Sequence, residues 1–147
     1  MTTISIGATI VLALGKPATE DAAGYEALAS PVEVGEVVSI GTMGDTSEDV
    51  AVTKLKDGRT EHFNGAKDGG AVPVSYVDEA ADPGQAFVEL HSNTNVTVSA
   101  KVTDAAGVER WSYGRLANFQ GMEKTATSYD GHSFEFRRNS GTVKITA

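Results

Sequence analysis

The sequence predicts a mainly β chain, an antiparallel β-sandwich or barrel with one packed α-helix. Three observations carry that reading. Apolar residues in most segments recur at every second position, the period of a strand with one buried face. Asp-Gly and other Gly-containing turns separate these runs at short intervals. Helix-start chemistry is found at one place, Asp82-Pro83-Gly84-Gln85.

Taken in order, residues 4–14 alternate, with Ile4, Ile6, Ala8, Ile10, Leu12 and Leu14 on one side and Ser5, Gly7 and Thr9 on the other. Residues 17–30 are small and polar and read as a connection with one helical turn around residues 25–28. Residues 32–40 alternate again, placing Val32, Val34, Val38 and Ile40 inward, with Glu36 as the exception. Gly41-Thr42-Met43-Gly44-Asp45 ends that run. Residues 42–70 form the longest irregular region, a loop or arm. Within it two short β-compatible runs, 50–56 and 59–64, flank Asp57-Gly58, a hairpin signal. Val72, Val74 and Tyr76 alternate next, and Pro73, lacking an N–H, belongs at a strand start or edge.

The helix is expected over residues 83–91. Asp82 serves as N-cap, Pro83 fits the first helical position, and Gln85 completes a capping-box pattern. Phe87 and Leu90 are expected to share its buried face. Strands then resume: Val96, Val98, Ala100 and Val102 face in, while Thr97, Ser99 and Lys101 face out. A turn at residues 104–107 leads to a long strand, 109–119. That strand places Trp111, Tyr113, Ala117 and Phe119 on one side, with Leu116 as the exception on the other. Asp130-Gly131 reads as a second hairpin turn, followed by Phe134 and Phe136, a turn at Asn139-Ser140-Gly141, and Val143-Lys144-Ile145. No internal repeat or linker divides the chain, so residues 1–147 read as a single domain.

Composition narrows function. The 147 residues carry 12 Lys and Arg against 20 Asp and Glu, a formal charge of −8. Eleven acidic and five basic side chains lie in residues 1–73, against nine and seven in 74–147, so the negative field is concentrated toward the front. The densest basic cluster is Arg137-Arg138, too small to neutralise a run of phosphates. Cys is absent, which excludes disulfides, thiolate metal sites and Cys nucleophiles. The three His (His62, His91, His132) show no metal-ligand spacing and read as surface or sheet-edge residues. The opening Met1-Thr2-Thr3 and the interrupted apolar stretch after it are not a secretory signal or a membrane span. A soluble cytoplasmic product is expected, so the sequon Asn95-Val96-Thr97 carries little weight.

The search for catalytic motifs is empty. The adjacent carboxylates Glu48-Asp49 and Asp78-Glu79 point to opposite faces if they lie on strands, and neither pair makes an acid/base dyad by itself. Trp111 and Tyr113 could form a sugar-stacking platform, but at period two they read first as core or subunit interface. No catalytic, cofactor-binding or metal-ligating residue is assigned, and an enzyme is not expected.

The order of elements carries a further signal. A short first strand precedes a strand ending Glu36-Val37-Val38-Ser39-Ile40, then comes the long polar excursion, then residues 74–77 and the helix. A strand pair follows whose second member ends Leu116-Ala117-Asn118-Phe119-Gln120-Gly121, and a final strand completes the chain. This order, over roughly the whole chain, resembles the tail tube proteins (major tail proteins) of long-tailed bacteriophages. The resemblance implies hexameric rings stacked into a tube. It also implies tape-measure, tail-tip and terminator proteins as partners, passage of genomic DNA through the lumen without specific binding, and a place in the virion tail after assembly in the host cytoplasm. No membrane is expected to take part. The charge agrees with that picture: six copies carry a formal −48, which repels phosphates. Residues 42–70 are too long for an idle loop and suit an arm between rings, its charges Lys54, Lys56, Arg59 and Glu61 favouring a polar contact. The rival readings are a small carbohydrate-binding or adhesin β-sandwich, and another ring-forming virion protein such as a tail terminator or head decoration protein.

Overall fold

The computed structural model describes residues 6–146. In chain order its elements are β1 (Thr9–Leu14), α1 (Ala22–Glu26), β2 (Val32–Glu33), β3 (Val37–Ile40), β4 (Thr46–Thr53), β5 (Thr60–Asp68), β6 (Ala71–Val77), α2 (Pro83–His91), β7 (Val98–Thr103), β8 (Glu109–Gly121), β9 (Gly131–Arg138) and β10 (Val143–Ile145). The strand pairs are antiparallel, and the main sheet runs β2-β1-β7-β8-β9-β6-β3. β10 lies beside the first residues of the long strand β8, in line with β9. β4 and β5 pair with each other as a separate hairpin. No described helix is long and apolar enough to cross a membrane.

Chain connectivity forces the main sheet to roll. Seven strands laid flat would place β2 and β3 about 29 Å apart, at ~4.8 Å per strand. Yet β2 and β3 are joined by residues 34–36, which span at most about 15 Å at ~3.8 Å per Cα step. The two edges therefore approach one another, and a seam is left where the barrel does not close. Inside the curl lie Ile10, Leu12, Val34, Val72, Val74, Tyr76, Val88, Val98, Ala100, Leu116, Phe134 and Phe136, all buried.

Helix α2 pins the connection between the edges. Asp82 caps it by accepting from Gly84 N–H at 2.9 Å and also accepts from Gly35 N–H. Gln85 does not fold back onto the cap as a capping box would. Its Oε1 accepts from Glu79 N–H at 2.8 Å, and its Nε2 donates to Val77 O at 2.8 Å and Gly35 O at 3.0 Å. Buried among backbone groups, a Gln is worth more as a staple between β6 and residue 35 than as a cap. Gly84 is required because a Cβ there would overlap Glu33 O and Val34 Cα.

The mainly antiparallel architecture with a packed helix agrees with the alternation, while several details differ. A second, five-residue helix, α1, is capped by Asp21 and begins before the expected turn at 25–28. β1 begins at Thr9, with Ile6 exposed; expected strand residues 4 and 5 lie outside the described residues. The run 32–40 is two strands on opposite sheet edges, because Glu36 takes a left-handed φ of 56°. Beyond that break the parity slips, so Val37 and Ile40 pack on the core and Val38 turns outward at a bulge. On α2 the buried positions are Gly84, Gln85 and Val88, and Leu90 is 73% exposed. Val96 precedes β7 and is exposed, and Ser99 is buried, donating to Gly15 O at 2.7 Å.

Sidedness on β8 is also reversed. Leu116, read as the exception, belongs to the main core, while Trp111 packs on the outer face against Tyr25 of α1, ring centroids 5.2 Å apart. A bulge after Ala117, with Asn118 at φ 53°, then turns Phe119 back toward the core. Asp130-Gly131 is not a tight turn: residues 122–130 connect β8 to β9, which starts at Gly131. Pro73 lies inside β6, but its carbonyl accepts from Gly41 N–H just past the end of β3. Its missing N–H thus faces the place where that ladder stops.

Candidate functional site

The feature that no core requirement explains is the hairpin β4–β5. The region expected to be irregular is two long strands, eight and nine residues, joined by residues 54–59 around Gly58 at φ 64°. Register gives it two unlike faces. Val50 stands opposite Phe63, with Val52 next to them, so these three side chains share one face. On the other face Asp49, Ala51 and Thr53 oppose Asn64, His62 and Thr60. That face is polar: His62 Nδ1 lies 3.0 Å from Asp49 Oδ2, and the Thr53 and Thr60 hydroxyls are 2.9 Å apart.

The apolar face is open to solvent. Phe63 is 52% exposed, Val50 and Val52 nearly as much, and Leu55 at the tip is fully exposed. Toward the tip the face ends at an ion pair, Lys54 Nζ to Glu61 Oε1 at 2.6 Å. Residues 54–59 hold three cations, Lys54, Lys56 and Arg59, against one acid, Asp57, a basic tip on a chain of net −8. The charges expected on the arm lie at its tip, and the strands below it carry an apolar face that the polar reading of the region did not include.

A two-stranded hairpin is marginal by itself in water. This one is anchored at its base by Arg138, whose side chain is fully buried. Its Nη1 lies 3.3 Å from Asp45 Oδ1 and donates to Gly69 O at 2.9 Å. Its Nη2 donates to Thr142 Oγ1 at 2.6 Å and Ser140 O at 3.2 Å. Asp45 and Gly69 stand immediately outside the paired ends Thr46 and Asp68. One guanidinium thus holds both legs of the arm to the end of β9. Gly69 allows this approach, since a Cβ there would come within 2.9 Å of Arg138 Cβ and O.

A groove of about 950 Å³ opens at the seam, between β3 and the approach to β1. Ile6, Val37, Val38, Ile40, Met43 and Val102 contribute apolar side chains to its wall, and polar groups, among them Arg110 and Asp104 paired at 2.6 Å, make up the larger share. β3 is a sheet edge, and Val38 beside the groove is 55% exposed.

A smaller acidic cleft lies over α2, where Asp78 Oδ1 is 2.6 Å from His132 Nδ1 and Phe119 stacks on that imidazole at 4.8 Å. Burial, helped by the carboxylates of Asp78, Glu89 and Asp82, pushes the neighbouring Tyr76 phenol up to about 12. His132 and His62 each face one carboxylate, and among the described residues neither imidazole is hydrogen-bonded to a hydroxyl. His91 packs against Phe87 at 4.5 Å. Glu48 and Asp49 lie on the exposed arm, and no three His, Asp or Glu side chains among the described residues converge into a metal-binding group. Trp111 is 4% exposed and stacked on Tyr25, and Lys16 covers the Tyr113 ring at 5.0 Å. The two aromatics do not form an open sugar platform.

No family model matches the chain, and no curated protein does. Among solved structures it is similar to a chain in the cryo-EM structure of the anti-feeding prophage (AFP) baseplate, 6-fold symmetrised. The TM-score is 0.61 at 10% identity, covering 99% of this chain and 97% of that one. At that identity the likeness is one of fold, shared from end to end.

Proposed function

We propose that this chain is a structural, non-enzymatic subunit of a phage-tail-like assembly, forming six-membered rings that stack into a tail tube. The observation that supports it most is the end-to-end fold likeness to a chain from a sixfold baseplate. The exposed arm agrees, because an apolar face on a protruding hairpin is a contact waiting for another surface. So does the charge: an acidic ring wall does not hold DNA in transit. In this reading tape-measure, tail-tip and terminator proteins are the partners, the virion tail is the location, and no cofactor or metal takes part.

The provenance of the structural neighbour favours one variation, a ring within the baseplate rather than a repeated tube ring. Light scattering after size exclusion, with negative-stain imaging of the same fractions, tests both. Tubes of stacked rings support the tube subunit, and discrete rings support the baseplate variation. A protein that stays monomeric at every concentration, alone and with its tail partners, refutes self-assembly.

A further inference from the structure

We propose that the seam groove is the receptor for the arm of a second copy: the apolar face of β4–β5 from one chain seats against β3 and the groove of the next. The inference rests on the self-assembly reading and names the two surfaces that meet.

The groove has the character of a docking site for a strand. Among the described residues β3 ends the sheet and its outward backbone groups meet no further strand, which is a template for another strand. The β2 edge offers little competition, being two residues long. Beside that template Ile6, Val37, Ile40, Met43 and Val102 supply apolar side chains in a mixed wall, and the bulge at Val38 turns one more apolar side chain outward. Among the described residues no side chain fills this space.

The arm is the matching piece. It carries Val50, Val52 and Phe63 on one face, and eight-residue β4 reaches about 27 Å from its base at ~3.4 Å per residue, far enough to cross onto a neighbour. Its basic tip is attracted to the acidic body of another copy.

The arm cannot serve its own groove. β3 leads into it through residues 41–45, so returning to β3 would require reversing the chain there. Arg138 prevents that by holding Asp45 and Gly69 together at the root. Each chain therefore presents an arm that does not reach its own groove and a groove that none of its described residues fills. Such a contact is heterologous, and repeated around an axis it closes a ring or extends as a stack.

Because the chain holds no Cys, disulfide trapping reads the contact directly. Chains carrying only Val38→Cys are mixed with chains carrying only Val52→Cys, assembled and oxidised. A covalent dimer in the mixture, absent from either variant alone, is expected, since a disulfide forms only when Cα atoms come within about 7 Å. Assemblies that form normally without that link overturn the inference and leave the self-assembly reading intact. A dimer from Val52→Cys alone, meaning arms pair with arms, also overturns it. Failure to assemble under any condition refutes both. A second variant, Val38→Lys, should keep the wild-type melting midpoint while reducing the assembled fraction about tenfold or more, because an arm seated there would strip water from an ammonium facing Val50, Val52 and Phe63. Wild-type assembly by that folded variant would exclude the groove.

Discussion

Excising the arm at two different cut points separates its role in assembly from its attachment to the fold. In the first variant a four-residue Gly/Ser linker replaces residues 47–67, leaving Asp45, Thr46, Asp68 and Gly69 in place. Thr46 and Asp68 are directly paired, so their Cα atoms lie about 5 Å apart and the linker closes without strain. Nothing removed is buried in the core, so stability should change by about 0.5 kcal/mol or less. In the second variant the same linker replaces residues 45–68, which also removes the Asp45 carboxylate. Arg138 remains buried with three neutral acceptors, the carbonyls of Gly69 and Ser140 and the Thr142 hydroxyl. Losing the carboxylate from a buried guanidinium costs about 2 kcal/mol, less than for a wholly buried pair because Asp45 is partly exposed. At ~2–4 °C per kcal/mol for a chain of this size, the second variant should melt roughly 4–8 °C below the first. Circular dichroism melts and urea titrations measure the difference, and light scattering follows assembly. Both variants should fold, and neither should assemble. Equal midpoints would show that the Arg138–Asp45 contact contributes nothing to the fold, and normal assembly by the first variant would remove the arm from the mechanism.

Three further outcomes follow from other parts of the molecule. The Tyr76 phenol is pushed up to about 12 in the folded chain, whereas an unfolded one titrates near 10. The stability this represents is fully present below pH ~10 and lost as pH rises toward ~12, at up to about 1.4 kcal/mol per unit. Urea midpoints from pH 9 to 11.5 should therefore fall less steeply in Tyr76→Phe, and an unchanged slope would refute the assignment. Trp111→Ala should destabilise by about 3–5 kcal/mol through the cavity left against Tyr25; a loss below about 1 kcal/mol in urea would mean the ring is not a packing element. Binding to duplex DNA should be undetectable by anisotropy at moderate salt, and micromolar, salt-sensitive affinity would reveal a positive surface that the charge balance hides.

What could be read from the sequence was what local chemistry decides. Asp57-Gly58 places a hairpin turn, and Asp82-Pro83 starts a helix, because a few neighbouring residues fix the backbone in each case. Where a left-handed residue interrupts a strand, alternation alone misleads. Val32 to Ile40 alternates across the break at Glu36, and residues 109–119 alternate up to the Asn118 bulge, so Val38 turns outward against the alternation and Phe119 leaves the side it is expected to share with Trp111. The candidate site was half legible. Val50, Val52 and Phe63 sit at matching positions around Asp57-Gly58, and pairing the two strands in register is the signal that would have found their common face. The groove had no such signal, because Ile6, Val37, Met43 and Val102 meet only once the sheet has rolled. Arg138 was visible only as half of a basic pair; its burial follows from a carboxylate 93 positions earlier and a glycine carbonyl that the fold brings to it.

An exposed edge beside a groove with apolar side chains in its wall is ordinarily an aggregation hazard, and among the described residues this chain limits the hazard without closing the edge. β2 is two residues long, β3 is four residues long and bulged, and every copy repels every other with a charge of −8. Indiscriminate edge-to-edge pairing is thereby disfavoured at close range. The arm evades the same repulsion, because its tip carries the opposite sign to the body it approaches, and it delivers its apolar face at a distance from its own acidic core. Steering by the tip should weaken as salt rises, whereas burial of Val50, Val52 and Phe63 should not. Salt screens the repulsion between the acidic bodies as well, so assembly governed by this division of labour should lose little final extent as salt is added. A contact made of surface ion pairs alone would lose extent.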